Sequence, residues 1–257
     1  MYGFVPLASG SKGNCLYFGT KNARLLIDAG LSAKATRERL AQIGVELESI
    51  DAILITHEHT DHIRGLNMLG VRMGIPVFAN SGTAKGIYNA LGALPPLKIF
   101  TTGEAFTFKG ITIHPFSIQH DTLDPVAFLL EVDNLRVGVC TDLGFATSLV
   151  QHKLQNCDYL VLEANHKPEM VHACARPLIY KQRVLSRYGH LPNEETGALL
   201  SALYHRGLKH VHLAHLSEEC NHPEVALSTV QNILAAKDQE VPLSIAPQYE
   251  VAKAILF

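Results

Sequence analysis

The chain has 257 residues, of which 47% are hydrophobic and 18% are charged, and its formal net charge at pH 7 is −2. This composition is typical of an ordinary globular protein and excludes the disordered and fibrous classes. The longest apolar runs are far shorter than the ~20 residues of a membrane span, and the net charge gives no global attraction to nucleic acid.

The start of the chain and its cysteines indicate where the protein works. The segment MYGFVPLASG lacks the charged and apolar regions of a secretory signal, so we expect a cytoplasmic location. The five cysteines form no CxxC pair, which indicates neither a disulfide framework nor a thiolate zinc site. The unusual number in the composition is the 14 histidines.

The first half of the chain alternates predicted strands and helices. Lys21-Asn22 is the turn of a predicted hairpin, and Ser32 is the predicted N-cap of a helix that ends near Gly44. The continuous apolar run at 52–56 predicts a fully buried strand. Further strands are predicted at 16–20, 23–30 and in the segments IPVFAN, LKIFT and FTFKGITIHPFSI, and further helices at 61–73 and 83–91.

The second half shows a similar pattern. PVAFLLEV and LRVGVCTD are a predicted strand pair that turns at Asp133-Asn134. Asn193 is the predicted cap of the next-to-last helix, and Pro223 is the predicted first residue of the last helix. The remaining predictions are helices at 146–155, 194–205 and 223–236 and strands at 159–164 and 210–215. The length allows one large domain or two small ones, and the two similar halves predict two sheets packed face to face with helices outside.

The segment THEHTDH, residues 56–62, directly follows the buried strand. His57 and His59 point the same way if the chain stays extended, so they can converge on one ion. Asp61 and His62 would lie in the first turn of the next helix and face a neighbouring point. Zinc and similar metals accept imidazole and carboxylate ligands. Solvated or capping histidines are the alternative, but four ligand-type residues in this spacing favour a metal site, with two adjacent ions and further ligands from elsewhere.

This HxHxDH motif resembles the signature of the metallo-β-lactamase superfamily. The segments LASGSKGNC, IDAGLS, THEHTDHIRGL, CTDLG, LEANH, GHLPNEE and LAHLSEE together resemble its YycJ/WalJ-type branch of single-domain nuclease-like proteins. The resemblance covers nearly the whole chain, although SGSKGN stands where Ser-rich versions are usual. It implies a single hydrolase domain over residues 1–257 with an α/β fold, the αββα sandwich of two mixed β-sheets that face each other with helices outside.

The resemblance also implies two divalent metal ions, zinc or manganese, and a ligand set. It gives His57, His59 and His120 to one ion and Asp61, His62 and His215 to the other, with Asp142 bridging and Asp28 supporting the ligands through a hydrogen bond. Taken alone, His120 could be satisfied at a strand end, and Asp142 could cap a turn. His212 is a rival to His215, but the two would lie on opposite faces of a strand.

Two ions that share a carboxylate can hold a bridging hydroxide near neutral pH, which suits phosphodiester, thioester or lactam hydrolysis. The predicted catalytic residues are Asp61, Glu163 and His190. His190 precedes a helix N-terminus, a place that favours anions, and it resembles the GHS histidine of tRNase Z-like relatives, which contacts the scissile phosphate and assists proton transfer. A solvated or capping histidine is the alternative. Glu163 and His166 end a buried strand and are expected to support the ligands or to face the substrate.

Residues 167–190 hold five basic side chains and one acidic one, a local balance of +4. Beside a phosphodiesterase centre such a segment would bind backbone phosphates, whereas elsewhere it would be a solvated helix face. Substrate contacts are predicted there for Lys181 and Arg183, and also for His166. The loop SGSKGN, with Ser11 and Asn14, is rich in residues that leave backbone N–H groups available to an anion, so it is expected to line the active-site mouth.

The leading interpretation is a dinuclear metal-dependent phosphodiesterase that acts on nucleic acid. The resemblance implies a 5′-to-3′ exonuclease on DNA, with no membrane partner, and both the polymer and the direction come from the resemblance alone. Hydrolysis of a small phosphodiester or thioester is the second interpretation, because the sequence pI is only about 6.7 and no RNA-binding arm is appended. A non-catalytic metal-binding scaffold is the third, and the complete ligand set argues against it.

Overall fold

A computed structural model describes every residue from Met1 to Phe257 and contains strands and α-helices in alternation. The strands are β1 (Gly3–Ala8), β2 (Cys15–Gly19), β3 (Arg24–Ile27), β4 (Ala52–Leu54), β5 (Val77–Ala79), β6 (Leu97–Ile99), β7 (Phe106–Phe108), β8 (Ile111–Ser117), β9 (Val126–Val132), β10 (Leu135–Cys140), β11 (Tyr159–Glu163), β12 (His210–Ala214), β13 (Leu243–Ile245) and β14 (Ile255–Leu256).

The α-helices are α1 (Ala33–Gln42), α2 (Thr60–Ile63), α3 (Ser81–Leu91), α4 (Ser148–Leu154), α5 (Pro168–Ala173), α6 (Leu178–Val184), α7 (Asn193–Leu203) and α8 (Pro223–Ala235). A 3-10 turn spans Leu47–Ser49, and a π-helical segment spans Asn67–Arg72. No helix of the structure combines the length and the apolar character that crossing a bilayer requires.

The first sheet has seven strands in the order β14-β1-β2-β3-β4-β5-β6. Its strands are antiparallel from β14 to β3 and parallel from β3 to β6. The parallel part is apolar on both faces, because β4 consists of Ala52, Ile53 and Leu54, all fully buried. This continuous apolarity is typical of parallel strands and explains why the polar residues of THEHTDH begin only where β4 has ended.

The second sheet also has seven strands, in the order β13-β12-β11-β10-β9-β8-β7. The strands β10 to β13 are parallel, whereas β9 pairs antiparallel with β10 and β7 pairs antiparallel with β8. The predicted fold class is therefore confirmed, since both sheets are mixed and each is accompanied by helices.

The chain forms two compact units. The first unit comprises residues 1–115, 122–126 and 246–257, and its apolar core is built around β1 to β5, α1 and α3. The second unit comprises residues 116–121 and 127–245, and its core is built around β9 to β12, α4, α7 and α8. All five cysteines have free thiols, as the scattered spacing indicates.

Local signals were correct at several element ends and wrong at others. Ser32 accepts the Ala35 N–H at 3.2 Å and caps α1, and Pro223 is the first residue of α8, as predicted. The helix predicted over 61–73 instead divides into α2 and the π-helical segment. Asn193, the predicted cap of α7, is instead the first residue of that helix, and its side chain exchanges hydrogen bonds with the buried Asn221.

Candidate metal centre

Asp28, the first residue after β3, is the hub of a buried hydrogen-bond network in the first unit. Its φ of 62° is left-handed, a conformation that aspartate tolerates better than most residues. The carboxylate accepts the Thr56 N–H at 2.9 Å, the Thr56 hydroxyl at 2.9 Å and His62 Nδ1 at 2.8 Å. The last of these hydrogen bonds gives Asp28 direct support of a predicted ligand.

The hydrogen bonds of Asp28 also determine which ring nitrogens of His57 and His62 are left to bind a metal ion. The Thr56 hydroxyl gives its hydrogen to Asp28, so its oxygen, 3.0 Å from His57 Nδ1, accepts the hydrogen of that nitrogen. The Nε2 atoms of His57 and His62 are then unprotonated. His57 Nε2 lies 3.2 Å from His59 Nδ1. Two nitrogen ligands of a tetrahedral zinc, with bonds of ~2.0–2.1 Å, lie about 3.3–3.4 Å apart, so this spacing suits a shared ion.

Asn14 lies against two of the predicted ligands. Its amide nitrogen donates to Asp61 Oδ2 at 3.2 Å and lies 2.9 Å from His62 Nε2, which agrees with an unprotonated Nε2. Its carbonyl oxygen accepts the Gly10 N–H at 2.8 Å. Gly30 lets the Asp61 backbone come close enough for its carbonyl oxygen to accept the Asn14 N–H. A Cβ at Gly30 would overlap that oxygen. The Asn14 side chain, a predicted substrate contact, is thus committed to protein partners.

Two predicted ligands of the second unit follow strand ends in the same left-handed conformation. Asp142, just after β10, has a φ of 59°, and His215, just after β12, has a φ of 55°. Because β10 and β12 both pair parallel with β11, their carboxyl ends lie at one edge of the sheet. Asp142 Oδ1 lies 3.4 Å from His215 Nδ1, and both side chains are buried. The sheet topology therefore brings together residues 73 positions apart.

Glu163, the last residue of β11, is the hub of the second unit. Its fully buried carboxylate accepts His190 Nδ1 at 2.8 Å, His215 Nδ1 at 3.0 Å and the backbone N–H groups of Leu143 and Leu191 at 2.8 and 3.2 Å. Burial raises the pKa of this carboxyl, but the His190 and His215 imidazoles outweigh burial and hold the pKa well below its usual range. With four donors on its two oxygens, the Glu163 carboxylate orients the two histidines.

His120 and His190 are also oriented through Nδ1. His120 Nδ1 donates to the Gly189 carbonyl at 3.1 Å, which leaves its Nε2 3.9 Å from Asp142 Oδ1. The His190 ring lies beside His120, with 5.3 Å between ring centroids. Its side chain is 12% exposed, more than that of any other member of this cluster, so His190 has the ring that a solute reaches most easily.

His166 is a buried imidazole linked to His215 through Asn165. The Asn165 amide nitrogen donates to the His215 carbonyl at 2.7 Å, so its oxygen faces His166 Nδ1 at 3.2 Å and accepts the hydrogen of that nitrogen. Burial lowers the pKa of His166 to about 4, which keeps the ring neutral near pH 7. The ring is 1% exposed, so His166, a predicted substrate contact, is well covered by protein in this structure.

The residues of both units fit a divalent transition metal. Imidazole and carboxylate are ligands that zinc and manganese accept. A metal-binding histidine usually donates its other ring N–H to a carboxylate, a carbonyl or another acceptor, which fixes the tautomer. Four of the five predicted histidine ligands have such an acceptor at Nδ1: Thr56 for His57, Asp28 for His62, the Gly189 carbonyl for His120 and Glu163 for His215.

The basic segment 167–190 forms α5 and α6, and part of its charge is neutralised. Arg183 forms a two-point ion pair with Asp121, with Nε–Oδ2 and Nη2–Oδ1 distances of 2.5 and 3.0 Å. Arg176 pairs in the same way with Glu219, and Lys181 Nζ donates to a backbone carbonyl at 2.7 Å. The two carboxylates lie outside the segment and reduce its local balance from +4 to +2.

The structure groups most predicted site residues into one cluster in each unit. The first cluster contains Asp28, His57, His59, Asp61 and His62 together with Asn14, and the second contains His120, Asp142, Glu163, His190 and His215 with His166 beside it. Ser11 is exposed in its loop. Sequence reasoning missed Thr56 and Asn165, although both lie inside the quoted motifs, and it missed the Gly189 carbonyl, which has no side-chain signature.

Comparisons with known proteins identify the family and the fold. A family model described as a beta-lactamase superfamily domain matches residues 23–213. The exodeoxyribonuclease YycJ of Bacillus anthracis is 36% identical over 236 residues, covering 91% of this chain and 89% of that protein, and the exodeoxyribonuclease WalJ of Streptococcus pneumoniae is 37% identical over 236 residues, covering 90% and 88%. The crystal structure of the metallo-β-lactamase fold protein YhfI from Bacillus subtilis aligns with a TM-score of 0.74 at 17% identity, covering 96% of this chain and 97% of that one.

Proposed function

Because this chain belongs to the metallo-β-lactamase superfamily, in the branch of the YycJ and WalJ exodeoxyribonucleases, we propose that it is a metal-dependent hydrolase that degrades DNA from a chain end. The observation that carries this proposal is the orientation of four of the five predicted ligand histidines, whose Nδ1 atoms are held by protein acceptors. A protein that kept the fold only as a scaffold would have no use for such buried support.

The residues that would hold the metal are those predicted from the sequence: His57, His59, Asp61 and His62 of the first unit and His120, Asp142 and His215 of the second. We propose two ions, zinc or manganese, in keeping with the family resemblance. Such ions supply an acidified water and neutralise charge on phosphate oxygens. The same resemblance is the basis for the 5′-to-3′ direction, and the free cysteines agree with the expected cytoplasmic location.

Within the chain, His190 is the residue that we propose for proton transfer to the leaving oxygen. Its Nδ1 is bonded to Glu163, which leaves Nε2 as the nitrogen that can hold a proton and release it. The buried Glu163 carboxylate fixes the orientation of the ring, as a carboxylate does for a catalytic imidazole in other hydrolases. Glu163 is a positioning residue in this scheme, since it acts on the substrate only through His190.

A small phosphodiester or thioester is the second candidate substrate. The ion pairs of Arg176 and Arg183 favour it, because these side chains are then less available for a long phosphate backbone. The close similarity to two exodeoxyribonucleases over about nine tenths of the chain favours DNA, and it outweighs the local charge argument.

The test is end-labelled polymer cleavage. Metal-stripped protein would be refilled with manganese or zinc and given 5′-labelled and 3′-labelled DNA and RNA, single- and double-stranded, with Asp142→Ala as the control. We expect wild type, but not the variant, to release labelled mononucleotides progressively from 5′-labelled DNA. Turnover of a bis-aryl phosphodiester or a thioester without cleavage of any polymer would replace the DNA proposal with the small-substrate one. Release from the 3′ end would reverse only the direction.

A further inference from the structure

A cavity of about 430 Å³ on the first unit has a strongly basic lining. Lys34 from α1, Arg64 from the turn after α2 and Arg72 from the π-helical segment line it, and none of its lining residues is acidic. The chain as a whole has 24 acidic and 22 basic residues, so three cations without a carboxylate are a local excess. None of these three side chains belongs to the predicted metal centre.

The charges of this cavity are only weakly compensated. Lys34 lies 3.9 Å from Glu38, but both side chains are largely exposed, and such a pair contributes little. Arg64 donates to the Lys12 carbonyl at 3.0 Å, which uses one of its donors and leaves its charge without a carboxylate in that contact. Arg37, on the same helix, pairs closely with Glu48, as Arg183 does with Asp121. The cavity thus keeps positive charge that other parts of the chain neutralise.

Two backbone features add to the cavity as a site for an anion. The N-terminus of α1 opens at the cavity, and its first turn contains no acidic residue that would offset the helix dipole. The π-helical segment, in which the Met73 N–H reaches the Met68 carbonyl at 2.9 Å, presents Met68 and Arg72 to the cavity. Segments of this kind are rare and recur at functional sites.

We propose that this cavity binds a phosphate group. Two guanidinium groups and an ammonium suit the several oxygens of a phosphate better than a single carboxylate, because each guanidinium offers a planar pair of donors. On the proposed function, the ligand is a backbone phosphate of the nucleic-acid substrate outside the scissile bond. Arg64 lies two residues after His62, so the cavity adjoins the metal motif along the chain. A free phosphate ion or nucleotide offers the same chemistry.

The test compares Lys34→Gln/Arg72→Gln with Lys21→Gln/Lys98→Gln, which removes the same charge at exposed positions that do not line the cavity. Three quantities would be measured on metal-loaded protein: turnover of a bis-aryl phosphodiester, affinity for a DNA oligonucleotide across a salt series, and the rise in melting temperature caused by inorganic phosphate. We expect the cavity variant to lose about three- to tenfold in oligonucleotide affinity and ~1 unit of salt slope, with unchanged turnover of the small ester. The control variant should resemble wild type in all three.

The outcomes separate this inference from the proposed function. Equal weakening by both variants, or by neither, would overturn the cavity as a nucleic-acid site. If wild type binds no oligonucleotide, the proposed function fails, and the phosphate measurement then decides the cavity alone. A phosphate-induced rise in melting temperature that is lost only in the cavity variant would assign the cavity to free phosphate or a nucleotide. A rise that all three proteins share would overturn the cavity as a phosphate site.

Discussion

In both clusters of the candidate centre a buried carboxylate orients a predicted ligand histidine, but the clusters differ in how far apart their residues lie in the sequence. In the first unit, four predicted ligands lie within six residues, and one distant carboxylate, Asp28, orients His62 directly and His57 through Thr56. In the second unit, residues from His120 to His215 meet only because parallel strands end at one edge. The buried carboxylate there, Glu163, orients one predicted ligand, His215, and one histidine outside the predicted ligand set, His190. We infer that the first unit is specialised for holding metal, whereas the second also handles a proton.

Removing a predicted ligand should have the largest effect on metal content and turnover, and the effect should be the same for either cluster. His59→Ala and Asp142→Ala each delete a donor from the predicted set, so both should lose bound metal and bring turnover to the background rate. Metal content by mass spectrometry and hydrolysis of a bis-aryl phosphodiester would be measured on the same samples. Full metal content in either variant would remove that residue from the ligand set.

His190→Ala should differ from the ligand variants, because it should lower turnover without removing metal. Turnover should fall by about 10²- to 10⁴-fold, the contribution of general acid catalysis, while metal content stays nearly that of wild type. The same two measurements apply, with His59→Ala as the matched histidine control. If His190→Ala lost as much metal as His59→Ala, His190 would be a ligand and the division of labour would be wrong.

Neutralising the buried carboxylate of either cluster, Asp28 or Glu163, should have a smaller effect than removing a ligand or His190, and it should distinguish the two clusters. Asp28→Asn and Glu163→Gln should each weaken metal affinity by roughly 10- to 100-fold, because each hub supports a ligand histidine. At saturating metal, only Glu163→Gln should still lower turnover, since it also releases His190. Titration of metal-free protein gives the affinities, and rates at saturating metal give the second comparison. Full recovery of Glu163→Gln at high metal would contradict its role toward His190.

The smallest effect concerns His166, the buried imidazole of the second unit. Its folded pKa of about 4 lies below the ordinary 6.5, so the unfolded chain takes up a proton first as the pH falls. Its contribution to stability is complete above pH 6.5 and is lost as the pH falls from 6.5 to 4, so that about 2 kcal/mol has been lost at pH 5. His166→Gln should therefore lose less stability than wild type between pH 7.5 and 5.0, measured by urea unfolding of metal-free protein.

The matched control for His166 is His172→Gln, an exposed histidine of α5. It should keep the pH dependence of wild type. The interpretation of His166 as a neutral buried base fails if both variants have the same unfolding profile as wild type at the two pH values.

The sequence predicted the first cluster well because its information is local. HxHxDH stands in one short segment, and the apolar run before it indicates the strand that presents it. The later histidines could be placed only through the family resemblance, because sheet topology rather than spacing unites them. Glu163 shows the remaining limit: the sequence placed it at a strand end, but its four hydrogen-bond donors come from three separate parts of the second unit.

Other misses have equally specific causes. The strand β1 escaped prediction, and it contains Pro6, a residue rare in central strands, which the structure accommodates next to a register shift in its pairing with β2. The helix predicted over 61–73 breaks at Gly65, whose N–H bonds to the Ala29 carbonyl at 2.7 Å instead of continuing the helix. The ion pairs of segment 167–190 could not be read from its own sequence, because their carboxylates, Asp121 and Glu219, lie outside it.

The left-handed backbone at Asp28, Asp142 and His215 sets the demands of the main chain against those of the site. Glycine adopts this conformation without strain, so at these three positions the residue that suits the backbone best has no side chain to offer a metal or a hydrogen-bond partner. Replacing any one of them with glycine would therefore relax the local backbone and remove a polar group of the candidate centre in the same step.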